Sequence, residues 1–349
     1  MRVLSATEAI NPAIEHTKAL LRPFSLRLWL KLGLVACFAE AGGQFLSPPV
    51  GNLGSHGGAQ TPGIGSVPGL TPILILIVVV FSIVTLVIGL GLLYLGSRLQ
   101  LVLMDLVATR TTLVAPAWHR TASRTWRWIG IKLAGFFAAL LVVGIFAAGP
   151  IIHFIRSMPS GNAKPGPGFV EAILLFIFTV FIAVLLFMLL IWILRDFVLP
   201  FILFEDAPLS VAIARTANTL RRETGSVLFY FLMKLALGLA IGIAAELGIL
   251  LALLVLAIPI GSIGALLWFV LHQAGTFAVI AMYISFGLLG LVFFAALLTL
   301  FICIGGAVLI FHQAYALYFL GGRIPSLGNL LEPPPPPLPE PPPLPLAPA

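Results

Sequence analysis

The chain has 349 residues, 60% of them hydrophobic and only 9% charged, with a mean hydropathy of +1.14. A soluble domain carries about a quarter charged residues, so this composition excludes one and points to a polytopic membrane protein. The net charge of +7 does not indicate nucleic acid, because the basic residues flank apolar runs instead of forming a free patch.

Of the 19 Lys and Arg, 17 fall in residues 1–31, 98–132, 195–234 and the tail after 320; only Arg156 and Lys164 lie elsewhere. Runs long enough to cross about 30 Å of hydrocarbon lie between these clusters. The first is Leu28–Leu46, followed by a Gly/Pro loop (47–71) with no Lys, Arg, Asp or Glu. Leu34-Val35-Ala36-Cys37 has the form of a lipoprotein cleavage box. However, 31 residues precede it and the apolar stretch after Lys31 is short, so an uncleaved first span is expected. Pro72–Gly96, Ile129–Phe154 and Phe169–Leu194 are the next three spans.

From Ser226 to Leu320 the chain is almost entirely apolar, and length alone allows two long spans or four short ones. Repetition decides. Lys31-Leu32, Lys132-Leu133 and Lys234-Leu235 stand at the mouths of apolar runs, 101 and 102 residues apart, and the first two are each followed by two spans and a return to basic sequence. A third copy predicts spans at about 226–258 and 277–303, long enough to tilt or to extend into water. The expected fold is an all-α membrane bundle of six spans in three pseudo-repeats, about 8–98, 99–195 and 196–323. With the charge bias, both termini are expected in the cytoplasm. The membrane domain covers 1–325; residues 326–349 form a Pro-rich tail expected to be a disordered polyproline II spacer.

Three basic segments carry apolar stripes of helical spacing. Asn11 and Pro12 suit the start of a helix over 11–24. In 116–131, Trp118, Ala122, Trp126 and Ile129 oppose Arg120, Arg124 and Arg127. In 206–225, Asp206 is placed to cap a helix with Leu209, Ile213, Ala217 and Leu220 on its apolar face; Arg215, Arg221 and Arg222 lie largely off that face, and Gly225 ends it. Such helices lie in the headgroup layer. The six arginines are therefore candidate contacts for anionic phospholipid headgroups.

Ionisable residues inside spans are the remaining candidates, since each costs several kcal/mol or finds a partner. Glu40 lies about 18 Å into the first span, and Glu246 about 20 residues into the fifth. With His272 they make a candidate intramembrane polar site, either for a proton or cation or for packing through hydrogen bonds with Gln44 or His272. The middle copy has no matching acid. His312-Gln313 and His272-Gln273 read more simply as interfacial residues. Arg195-Asp196 reads as local neutralisation, with Pro200 marking a kink or helix end. Gly42-Gly43 and Gly305-Gly306 suit close helix packing. Cys37 and Cys303 define neither a disulfide framework nor a metal site. No metal, phosphate-loop or nucleophile-elbow motif occurs, so no cofactor is expected.

Arg195-Asp196-Phe197-Val198-Leu199-Pro200, then Glu205-Asp206, then Ser210–Gly225, resemble a loose group of bacterial six-span membrane proteins. That group includes the membrane domain attached to some glycerophosphodiester phosphodiesterases. The resemblance implies a membrane-embedded helper in the cytoplasmic membrane, not the esterase, whose soluble domain this sequence lacks. The leading expectation is a non-enzymatic scaffold or lipid-interacting protein, with a membrane-protein partner allowed for. The alternative is a small-solute or ion transporter using Glu40 and Glu246.

Overall fold

A computed structural model describes residues 2–44, 70–157, 167–272 and 275–332. These residues are mostly helical, with no strand among them. In chain order the helices are α1 (Ile10–Leu21), α2 (Leu26–Gln44), α3 (Leu70–Thr109), α4 (Val114–Arg120), α5 (Ala122–Ser157) and α6 (Pro167–Ile193). A π-helical turn, Leu194–Val198, leads to α7 (Leu199–Phe204), α8 (Leu209–Arg222), α9 (Thr224–Leu271), α10 (Thr276–Gly321) and α11 (Pro325–Leu331). Most of the Gly/Pro loop, the loop between α5 and α6, residues 273–274 and the tail from 333 lie outside the described residues.

Among the described residues five helices are long and apolar enough to cross a membrane: α3, α5, α6 with its continuation to Phe204, α9 and α10. The protein is a multi-pass, all-helical membrane protein. The first expected span falls on α2, a 19-residue helix packed against α3 and α10. The long helices pair with their chain neighbours: α2 with α3, α5 with α6, and α9 with α10.

Several expected boundaries move. The second span does not stop at Gly96; α3 continues 13 residues further, because Leu101, Val102, Met104, Leu106 and Val107 are fully buried there and hold it helical. Helix α9 passes through Pro259 and Gly261. A proline removes one backbone bond, and the helix on either side keeps the rest. At about 1.5 Å per residue its 48 residues are roughly 72 Å long, more than twice the hydrocarbon thickness. The interfacial helix expected over 116–131 is instead α4 followed, after Thr121, by the start of α5.

Burial is concentrated at one end of the long helices. Leu101–Ala108, Phe197–Leu203 and Ile310–Leu320 pack together with α1 and α11 into a hub. The opposite halves expose large apolar side chains such as Phe146, Phe178, Leu251 and Phe294, as lipid-facing surfaces do. Gly33 and Gly306 bring α2 and α10 into close contact: a Cβ at Gly33 would strike the Ile302 carbonyl, and one at Gly306 would strike Gly33 itself. Gly306 thus serves the close packing expected of the Gly305-Gly306 pair.

Candidate functional site

The polar centre of the hub begins with Pro200. Having no N–H, it cannot complete an ordinary helical turn, and the chain before it widens: Leu199 N–H donates to the Leu194 carbonyl five residues back. In this π turn Arg195 and Asp196 bond away from each other. Arg195 Nη1 donates to Glu40 Oε2 on α2. Asp196, 1% exposed, accepts from Lys234 Nζ on α9 and from the Tyr230 hydroxyl at 3.0 Å. The two neighbours therefore do not simply neutralise each other, and Pro200 neither ends nor breaks the segment. A buried charge requires a partner, and here each partner comes from a different hairpin.

Lys132 on α5 is 8% exposed. Its ammonium donates to Ser97 Oγ at 3.1 Å and lies 5.2 Å from the Trp128 ring centre. No carboxylate among the described residues comes within 4.0 Å of it. Trp128 Nε1 donates to Gln100 Oε1 at 3.0 Å, and Gln100 Nε2 to the Ala39 carbonyl at 2.7 Å. The centre thus holds three cations (Lys132, Arg195 and Lys234) against two carboxylates (Glu40 and Asp196).

Two cavities meet at the Glu40–Arg195 pair. One, about 140 Å³, has Glu40, Lys132, Trp128 and Arg195 at its polar end and Phe136, Phe187 and Ile191 beyond. The other, about 230 Å³, is bounded by Glu40, Arg195, Asp196, Lys234, His312 and Gln313. His312 Nδ1 and Gln313 Nε2 are buried with no hydrogen-bond partner among the described residues. They are interior to the hub and not the interfacial residues expected. Among the described residues no three His, Cys, Asp or Glu gather closely enough to hold a metal.

The expected polar site is not assembled as a unit. Glu40 is in the centre, where it bonds Arg195 and not His272; the side chain of Gln44 lies outside what the structure describes. Glu246 is exposed and lines neither cavity, because helical rotation sets it on the outward face of α9. His272 is exposed, stacked on Trp268 at 4.6 Å, and 26 residues or about 39 Å along the helix from Glu246. Of the six arginines, Arg120 bonds Asp105 at 2.6 Å, Arg124 and Arg127 share Asp206 at 3.3 Å each, and Arg215 bonds Glu205. Arg221 and Arg222 are exposed without a side-chain partner among the described residues. Asp206 accordingly does not cap α8, whose N-cap is Pro208, and α1 begins at Ile10, ahead of Asn11.

Gln100 and Trp128 were not singled out in the sequence, and Arg195 was read there only as neutralising Asp196. The Lys-Leu repeat did mark Lys132 and Lys234, but as span mouths; only Lys31 stays at the surface, bonded to the Thr112 carbonyl at 2.9 Å.

Residues 4–330 match a family of unknown function, DUF7544. The chain belongs to this family. No curated protein and no solved structure matches it.

Proposed function

We propose that this DUF7544 member is a non-enzymatic, six-span protein of a bacterial cytoplasmic membrane that holds anionic phospholipid at its inner face and supports a membrane partner. One observation carries this reading. The basic segments and the tail contain 17 basic and 9 acidic residues, a net charge of +8, while the rest of the chain holds two basic against three acidic residues. Anionic headgroups attract such a collar, each nearby Lys or Arg contributing about 1 kcal/mol. In this reading α2 is the sixth span, the three hairpins are the pseudo-repeats, and the charge bias keeps both termini cytoplasmic. The likeness to the membrane domain of glycerophosphodiester phosphodiesterases agrees with a helper role.

Native mass spectrometry from nanodiscs of mixed phosphatidylglycerol and phosphatidylcholine tests the lipid preference. Phosphatidylglycerol should be retained in excess, and less so in the Arg221→Gln/Arg222→Gln double variant. Equal retention of the two lipids would overturn the reading. A reporter fused after Ala349 should be cytoplasmic; a periplasmic signal would reverse the topology.

Transport is favoured by a single feature, the Glu40–Arg195 pair standing between two cavities. It predicts that Glu40→Gln abolishes a proton- or cation-coupled flux in proteoliposomes. The exposed position of Glu246 supports the lipid reading over this one.

A further inference from the structure

Lys132 is a buried cation whose nearest acid is already engaged. Glu40 shares its cavity, but that carboxylate is bonded to Arg195. The neighbouring donors are also in use, Trp128 on Gln100 and Gln100 on Ala39. An ammonium has three protons; one goes to Ser97, and no acceptor among the described residues takes the other two. An uncompensated buried charge is costly, so an anion is the fitting ligand.

The rest of the cavity is apolar. Beyond Lys132 it passes Gly135, Phe136, Phe187 and Met188 on α5 and α6. Further along the same hairpin a second hollow of about 310 Å³ is lined by Val142, Phe146, Phe178, Ile182, Ala183 and Leu186. Gly135, Val142 and Phe146 are spaced by 7 and 4 residues, which keeps both hollows on one face of α5. From Lys132 to Phe146 the helix runs 14 residues, about 21 Å, enough to line the roughly 15 Å half-thickness of the hydrocarbon. A free anion would use only the first hollow, and a neutral hydrocarbon only the second.

We propose that the cleft between α5 and α6 holds one anionic phospholipid, its phosphate on Lys132 and an acyl chain in the apolar groove toward Phe146. This deepens the lipid-holding reading and rests on it for the bilayer setting.

The test uses the full chain purified from phosphatidylglycerol-containing membranes and delipidated in steps while native mass spectrometry counts bound lipid. Wild type should keep one phosphatidylglycerol after the others are gone. Lys132→Met should lower its retention by about tenfold or more, the scale of a lost charged hydrogen bond. Ala183→Trp fills the groove without touching the cation and should release the same lipid; it decides the matter if Lys132→Met does not fold. Arg221→Gln/Arg222→Gln should lower the total count yet leave this last lipid, so failure of the collar and failure of the cleft read differently. Undiminished retention in Lys132→Met, or equal retention of phosphatidylcholine, would overturn the proposal. So would thermal stabilisation of delipidated protein by inorganic phosphate alone equal to that by phosphatidylglycerol, which would make the ligand a free anion.

Discussion

Removing one member of a buried ion pair leaves its partner charged and desolvated, at a cost of about 3–5 kcal/mol, whereas exposed pairs contribute about 1 kcal/mol or less. The Lys234–Asp196 side chains are 11% and 2% exposed, those of Lys18–Glu15 52% and 73%. Asp196→Asn should therefore lower the detergent-solubilised melting point far more than Glu15→Gln, and comparable shifts would refute the assigned burial. His16 gives a pH prediction. It is buried, with Nε2 2.7 Å from the Val107 carbonyl and Nδ1 3.1 Å from the Tyr318 hydroxyl. The Tyr318 oxygen also accepts from Arg110 at 3.0 Å, so the neutral imidazole donates to Val107 and accepts from Tyr318. Desolvation, chiefly, and the Arg110 charge push its pKa below 6.5, against the pull of the Val107 carbonyl. The unfolded chain then takes up a proton before the folded one. This contribution is complete above about pH 6.5 and is lost as pH falls toward the depressed folded value. Melting points between pH 7.5 and 5 should decline in wild type and less steeply in His16→Asn; parallel curves would count against the assignment.

At the scale of elements, the α2–α10 crossing separates two kinds of glycine. Gly33→Ala and Gly306→Ala meet backbone, and overpacking of this sort costs about 1–3 kcal/mol. A Cβ at Gly242 or Gly248 meets nothing within 4 Å, so Ala there should be neutral or stabilising by up to about 1 kcal/mol. Thermal melts of the four variants should separate into these two groups. The paired helices were legible because apolar length and flanking charge report membrane crossing directly. The extent of α3 was not. The second span was expected to end at Gly96, just before Ser97, Gln100 and Asp105, yet all three are buried among other elements; a polar residue's burial depends on partners that its local pattern does not name. The π turn was half visible: Pro200 marked the irregularity, but only the packing around it decided between an ending and a widened turn.

For the whole molecule, charge asymmetry foretold which end of the bundle is basic, and much of that charge proved to be internal bracing. Arg120, Arg124, Arg127 and Arg215 tie α4, α5 and α8 to carboxylates on α3 and in the α7–α8 connection, leaving Arg221 and Arg222 as the open members of the candidate set. Salt separates the two roles, because exposed charges are screened over about 8 Å at physiological ionic strength and buried ones much less. Raising salt should release lipid held by the collar while the lipid on Lys132 persists; loss of both together would place that lysine at the surface. Glu40 was legible as an acid within an apolar run, but not its partner 155 residues away, since no periodicity carries information across that separation.

That separation also has a temporal meaning. At roughly 5–20 residues per second of synthesis, Arg195 leaves the ribosome about 8–31 s after Glu40. Lys132 waits beside an acid that is not yet engaged, and Asp196 precedes Lys234. During those seconds the first hairpin carries a carboxylate whose eventual mate has not been made. Assembly of the polar centre is thus a late event: Glu40 gains its partner only when the end of the second hairpin has been made, and Asp196 only when Lys234 follows on the third.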